Sequence, residues 1–586
     1  MPLRWVRRTS LMTKLSHAVS LTLAAAVPAQ QDFGPLDFVP TDAAVIAWVD
    51  GPARLSKAFR PTRLGTALDE TRIPEDLVAW FEELGEDLDR VFGPDGFDAE
   101  AFGKALATYE GKVVLTAGVD EDSLSRALDR LDPSAVRWWA SLIVTPNEDQ
   151  HASTLVRRTT ELIRGTFSSF TPVTASGITF SSIRFDDFSV SMPIEIGDHM
   201  VLVAGNDMAY ALEHTVTADA QAIRESERFT LEAPMGLVVR PGGIMRQLVE
   251  AKEISGDDYI SSLVETLVEA FGFAELETMV VTAEPVEEHT RLRTDLHFRS
   301  EPRGILGAFV PTRPGAPKSL EIIPSERDHW SVTRINWRML YASLSDSVDV
   351  FGRFWGTSAA DLEEDFASQF RVRLEEDVIA HLGDELIQVG FGSPGSRNDE
   401  DIAADLEGIC YGVSLLNPQA FEDSLERMIR SRGLHAARKT EIYRGLKLRR
   451  ITVATMPIYY ATPGEHLLVG IGNEGARELR AVLATILDRR DNSSRFELPE
   501  PVRQRLEYVT PGWQNINAAR ISSVLDVAID QIRASLVEHD LPSDHTAHHI
   551  VRNLRVFVDV LRRHDLDLIV STALAEGRWL RSELIW

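Results

Sequence analysis

One cysteine, Cys410, stands in a chain of 586 residues. No intrachain disulfide is available, so a chain of this length relies on apolar cores. Cys410 lies in the apolar run GICYGVSLL and reads as a buried strand thiol, not a nucleophile. Long apolar runs are missing as well: nothing reaches 18 uninterrupted apolar residues, so no membrane-spanning helix is expected after any leader is removed. Positive charge is scarce. The chain has 61 Lys and Arg against 89 Asp and Glu, a net charge of −28. That balance argues against nucleic acid and against anionic membrane surfaces. Strictly alternating βαβ units with Gly-rich turns are absent, which excludes a doubly wound nucleotide fold. The Gly-rich stretch 390–408, GFGSPGSRNDEDIAADLEG, has no Gly-Lys-Ser/Thr and no G-x-S-x-G, and its acids miss the Ca²⁺-loop spacing. It reads as a hairpin loop.

What is present begins with residues 1–29. Arg4, Arg7, Arg8 and Lys14 precede the short apolar run LSHAVSLTLAAAV, and small residues follow. This is the pattern of a secretory signal peptide cut near Ala29. Its removal takes the net charge from −28 to −32. The expected location is exported, periplasmic or cell-surface.

The rest of the chain is written twice. GDHMVLVAGND (Gly197–Asp207) returns as GEHLLVGIGNE (Gly464–Glu474), 267 residues later. Met-Pro-Ile precedes both, at 192–194 and 456–458. FVPTDAAVIAWVDGPARL (Phe38–Leu55) matches IIPSERDHWSVTRINWRML (Ile322–Leu340). YEGKVVLTAGV (Tyr109–Val119) matches HLGDELIQVGF (His381–Phe391), and WASLIVTPN (Trp139–Asn147) matches YGVSLLNPQ (Tyr411–Gln419). Ala233–Val249 pairs loosely with Pro511–Val527, and Leu292–Phe298 with Leu580–Trp586. One short match is chance; seven in the same order predict a tandem duplication. The expected units are module 1 over 36–300 and module 2 over 320–586, with a Pro- and Gly-rich linker at 301–319.

Within each unit, β-branched apolar runs such as ITVATMPIYYA alternate with helical spacings such as AFEDSLERMIRS. Asn417-Pro418 supplies an N-cap and N1 for the latter. The predicted fold class is α+β: two tandem homologous modules, each an antiparallel sheet with helices packed on one face. The opening motifs FVPTDAAVIAWVDGPARL and LEIIPSERDHWSVTRINWRML resemble those of a bacterial exported domain-of-unknown-function family, which repeats a proline-acid strand and helix. The resemblance implies an exported α+β protein and brings no catalytic residues.

Candidate chemistry is sparse. His199 and His466, each beside an acid in the repeated turn, have the makings of ligands or acid–base groups. The plainer reading is a hairpin turn with a positive-φ glycine, an outward polar histidine, a buried strand and an Asn-capped helix entry. EHDLPSDHTAHH (Glu538–His549) is the densest histidine cluster. His545 and His549 at i, i+4, with His539 nearby, are the candidate ligands for Zn, although the Glu of H-E-x-x-H is missing. No cofactor other than such a Zn is expected. The favoured reading is a non-catalytic binding or scaffold protein of the envelope, its partner an envelope protein or a small ligand, without nucleic acid. A carrier of an apolar ligand and a metal-dependent hydrolase are the alternatives.

Overall fold

The computed structural model describes chiefly residues 43–62, 109–130, 135–147, 151–216, 233–241, 270–310, 317–352, 356–390, 408–453 and 456–491. It adds the strand backbones at 512–517, 567–575 and 579–585, and a few positions between 529 and 558. The signal-like segment 1–29 lies outside the described residues.

Helices accompany a large antiparallel array of strands. The strands up to residue 298 are β1 (Val45–Asp50), β2 (Lys112–Val119), β3 (Trp138–Val144), β4 (Thr171–Ala175), β5 (Ile178–Arg184) and β6 (Ser189–Ser191). They continue as β7 (Ile194–Ile196), β8 (His199–Gly205), β9 (Met235–Val239), β10 (Leu276–Val286) and β11 (His289–Phe298). Their pairing order is β4–β5–β6–β8–β3–β2–β1–β9–β10–β11, with β7 also on β8.

The later strands are β12 (Trp330–Arg334), β13 (Leu382–Val389), β14 (Cys410–Leu415), β15 (Lys439–Tyr443) and β16 (Leu446–Val453). They end with β17 (Met456–Ala461), β18 (His466–Ile471), β19 (Gly512–Asn517), β20 (Asp567–Ala575) and β21 (Trp579–Ile585). Their order is β15–β16–β17–β18–β14–β13–β12–β19–β20–β21. The two series meet where β11 pairs with β21.

Alternation explains which side chains point inward. In β1, Ile46, Trp48 and Asp50 are buried, and the residues between them face the other way. Trp48 Nε1 donates to the Ala233 carbonyl at 3.0 Å, which satisfies its polar end. Among the described residues, α1 (Ala152–Thr166), α2 (Met208–Val216) and α4 (Gly472–Asp491) pack on the strands, while α3 (Pro418–Ser431) packs on the helix Ala359–Phe370 and the turn Leu374–Val378 and is tied to β16 through Glu422 and Arg449. Asn417 Oδ1 accepts from Ala420 N, and Pro418 opens α3, as the sequence predicts. Met208, Ala211 and Leu212 of α2 join Ile46, Trp139, Ile143, Val201 and Val203 in one core. Leu479, Val482, Leu483 and Ile486 of α4 join Val332, Ile387, Val389, Cys410 and Leu468 in another.

Helices do not keep to one face, contrary to the sequence expectation. Leu155 of α1 packs on Leu142, Val144, Met200 and Leu202, the alternate residues of β3 and β8. The reason is visible in the strands themselves: LIV (142–144) and MVLV (200–203) are apolar at consecutive positions, the pattern of strands covered on both sides. Cys410 is a fully buried core thiol, and burial with the nearby Glu478 pushes its pKa far up. The predicted linker contains a short helix, Gly304–Ala308, with Gly307 and Ala308 buried; Asn336 N donates to the Ala308 carbonyl at 2.7 Å. No helix among the described residues is long and apolar enough to cross a membrane.

Candidate functional site

Two buried polar clusters sit at matching corners of the two strand series. In the first, Asp50 ends β1 and faces Lys112, the first residue of β2. Lys112 Nζ lies 3.1 Å from Asp50 Oδ1, and Arg54 Nε lies 3.4 Å from Oδ2. Burial pulls the Lys112 ammonium below its ordinary pKa, and the Asp50 hydrogen bond and charge oppose that pull. The buried Tyr109 hydroxyl donates to the Thr145 carbonyl at 2.7 Å. Burial, then the Asp50 charge, drive its pKa far upward, so it stays a neutral donor.

In the second cluster the signs are exchanged. Arg334 ends β12 and faces Glu385 of β13, with Arg334 Nη2 4.0 Å from Glu385 Oε1. Glu385 is 6% exposed. Its Oε1 accepts from Lys318 N at 2.9 Å and its Oε2 from Ser319 N at 2.8 Å, both at the start of the 3₁₀ turn Lys318–Ile322. The acid is on the first strand of one corner and on the second strand of the other.

The repeated histidines stand beside these corners. Gly197 and Gly464 take φ of 56° and 66°, the conformation the turn needs. His199 is 2% exposed, so it does not face outward as the sequence reading has it. Its Nδ1 lies 3.1 Å from Thr145 Oγ1, and both groups gain a partner where water is excluded. His466 is half-buried, with Nε2 3.1 Å from Ser319 Oγ. Helix entry also differs from expectation. Asp207 Oδ1 caps through Tyr210 N at 3.2 Å, while Asn206 bonds Trp138 N and the Val136 carbonyl. Asn473 lies within α4 and accepts from Tyr459.

Ser319, His466 and Glu385 together resemble the parts of an acyl-transfer triad, a grouping that sequence reading missed. The wiring is different. Glu385 binds the main-chain N–H of Ser319 instead of the imidazole, and Ser319 is fully buried. The trio ties the 3₁₀ turn to the sheet.

Burial lowers the His466 pKa, against the raising effect of Glu385 and Glu465. The unfolded chain then binds the proton first, so stability is full above about pH 6.5 and falls as pH drops through the lowered folded value. His466→Gln is expected to flatten the dependence of the urea midpoint on pH below about 6.5. An unchanged slope sinks the assignment.

Opposite the buried corner of the first series lies an apolar sheet face. Met279, Val281 and Ala283 of β10 align across β9, β1, β2, β3 and β8 in three rows. One row reads Val281, Leu237, Ala47, Leu115, Leu142 and Leu202; another reads Ala283, Met235, Val49, Val113, Val144 and Met200. Helix α1 covers the β3–β8 end. The remainder is half-open: Leu115 is 46% exposed and Val49 37%. On the corresponding face of the second series one row reads Thr333, Leu386, Val413 and Leu467, and the next Ser331, Gln388, Tyr411 and Val469. Polar residues interrupt these rows, and Leu386, Val413, Leu467 and Val469 are each less open to water than Leu115.

The predicted Zn ligands His539, His545 and His549 lie outside the described residues. Among the described residues no group of three or more His, Cys, Asp or Glu is placed to hold a metal. Of the aromatic pair Trp138–Trp139, Trp139 is wholly in the core.

No protein-family profile matches the chain. No curated protein matches it either. Solved structures give distant likenesses. Crystal form III of TP0453 aligns with TM-score 0.22 and 11% identity over 48% of this chain and 86% of that one. Form IV gives 0.21 and 10% over 45% and 81%, and form I gives 0.20 and 13% over 46% and 80%. Likenesses at this level carry no weight for fold or function.

Proposed function

We propose that this is an exported, non-catalytic binding protein of the cell envelope, built from two copies of one α+β unit, and that the open apolar sheet face of the first copy is its binding surface. The observation that carries the reading is that face: contiguous apolar residues, with Leu115 and Val49 open to water in one copy, where Ser331, Thr333, Gln388 and Tyr411 interrupt the rows of the other. Exposed contiguous apolar surface marks a binding site more often than an accident of folding.

The duplication is supported by the strand orders, which run in the same sequence of roles from β4 to β11 and from β15 to β21. It is supported again at the seam, where Arg293 stands opposite Glu583 and Asp295 opposite Arg581 in register. A local twofold relation between two like units places such pairs symmetrically. The exchanged ion pairs fit two copies that each kept a buried pair while swapping its sign. Polar groups committed to such internal bonds serve the fold, which leaves the apolar surface as the place where the copies acquired different tasks.

A fluorescent fatty acid is the direct probe. Wild type is expected to bind it, and Leu115→Glu with Leu237→Glu to weaken binding at least about tenfold, since each charge interrupts the apolar rows. Native mass spectrometry of the exported protein reports the mature N-terminus and any apolar molecule carried through purification. Failure to bind apolar probes, or binding that ignores the double substitution, rejects the face as the site.

A further inference from the structure

The free end of the second strand series has a chemistry unlike the rest of the chain. Residues 427–450 contain nine Lys or Arg and one acid, Glu441, in a protein of net charge −28. They form the end of α3 and the hairpin β15–β16, where β15 is the last strand of the series. Part of this charge is neutralised: Arg427 pairs with Asp377, Arg438 with Glu426, Arg444 with Asp488 and Arg449 with Glu422. Arg430, Lys439 and Lys447 are exposed and have no ion pair among the described residues. Arg432 is exposed too, bonding the neutral Gln369 and lying over the Phe370 ring. Ile442 sits opposite Lys447 in the hairpin and is 67% exposed.

A lysine on an edge strand serves to block pairing with other chains. That need does not account for nine cations. The hairpin at the same end of the first series, β4–β5, has Pro172 on its edge strand and Arg184 as its single charge. The cations therefore belong to this hairpin, not to the architecture.

We infer that the β15–β16 hairpin and the end of α3 form a docking surface for an anionic phospholipid bilayer. The exposed positions run almost without a break through 430–433, 435–437 and 439–442, so a continuous stretch of this end is open to water. Unneutralised cations around one exposed apolar side chain match the interfacial mode, in which charge attracts and the apolar group enters the headgroup boundary. The acidic remainder of the molecule does not cancel this at close range, because salt screens charges beyond about 10 Å at 0.1 M. The net field and the local surface thus act differently, and the composition reports only the first.

The test is co-sedimentation of the full chain with phosphatidylcholine vesicles, with and without phosphatidylglycerol. Binding is expected only with phosphatidylglycerol, and is expected to fall with added salt. Each cation is worth about fivefold near such a surface, so Arg430→Glu/Lys439→Glu/Lys447→Glu should lose about a hundredfold or more. Lys57→Glu/Arg164→Glu/Arg184→Glu changes the net charge equally at exposed sites elsewhere and should bind as wild type does. Circular dichroism checks that both triple variants stay folded. No binding to anionic vesicles, equal binding to neutral ones, or equal loss in both variants overturns the inference. Capture of an acidic protein without vesicle binding does so as well.

Discussion

Glu385→Ala is expected to lower stability by about 3–5 kcal/mol, the range for removing one partner of a buried ion pair. The substitution strips three groups at once. Arg334, 7% exposed, loses the carboxylate that faces it across the strands, and the main-chain N–H groups of Lys318 and Ser319 lose their acceptors. The Ser319 amide belongs to a fully buried residue, so the loss is not made good by bulk water. Glu385→Gln keeps one carbonyl oxygen and is expected to cost less. Asp50→Ala in the first corner is expected to be milder than Glu385→Ala, because Lys112 already has a lowered pKa and can shed its proton. The exchanged signs make a sharper test possible. Arg334→Asp combined with Glu385→Lys recreates the first corner's order of charges in the second. It is expected to be more stable than either single variant, with a coupling of about 1–3 kcal/mol. Urea denaturation read by hydrogen exchange at β12 and β13 measures both. A Glu385→Ala cost within about 0.5 kcal/mol, the size of an ordinary surface change, would show that the pair does not matter.

The strand plan was legible because alternation and β-branched runs are local. The seven sequence matches fall on strands that hold corresponding places in the two pairing orders, including the loose match that lands on β9 and β19. Local signals also located the turn glycines and the cap of α3. What depends on distant partners was not legible. Asp50 against Arg334 looks like simple divergence until Lys112 and Glu385 are seen opposite them. The sequence match even sets Lys112 beside Asp384, one residue away, and an irregularity in the β13–β14 register accompanies the shift. His199 was misread as outward because its strand begins with it; its hydroxyl partner, Thr145, comes from another strand end. The apolar face was hidden for a related reason. Single strands such as VIAWVD and KVVLTAGV show two mixed faces, and only cross-strand register assembles Ala47, Leu115 and Leu237 into one surface. The basic segment was in plain view in the sequence, and was averaged away by a net charge taken over the whole chain.

Trp139→Ala should cost about 3–5 kcal/mol, the usual price of emptying a large aromatic site. Trp139 is fully buried on β3, packed in the first core beside Trp48, Ile143 and Leu212, with the His214 ring centroid 5.7 Å away. The strand next to it has adapted. A Cβ on Gly118 would lie 2.6 Å from the Trp139 ring, so glycine is what lets the indole lie flat on β2. Gly118→Ala is accordingly expected to cost about 1–3 kcal/mol through overpacking. The indole also has a weakness: its Nε1 has no acceptor among the described residues. Leaving such a donor buried costs about 1–3 kcal/mol, and Trp139→Phe removes it while vacating part of the ring space. Trp139→Phe should therefore destabilise far less than Trp139→Ala. The vacated space adjoins Gly118, so Gly118→Ala together with Trp139→Phe should cost less than the sum of the two alone. Urea titrations of the four proteins decide this. Strict additivity would mean that the glycine and the indole are not fitted to each other, and that Gly118 is set by the backbone of β2 alone.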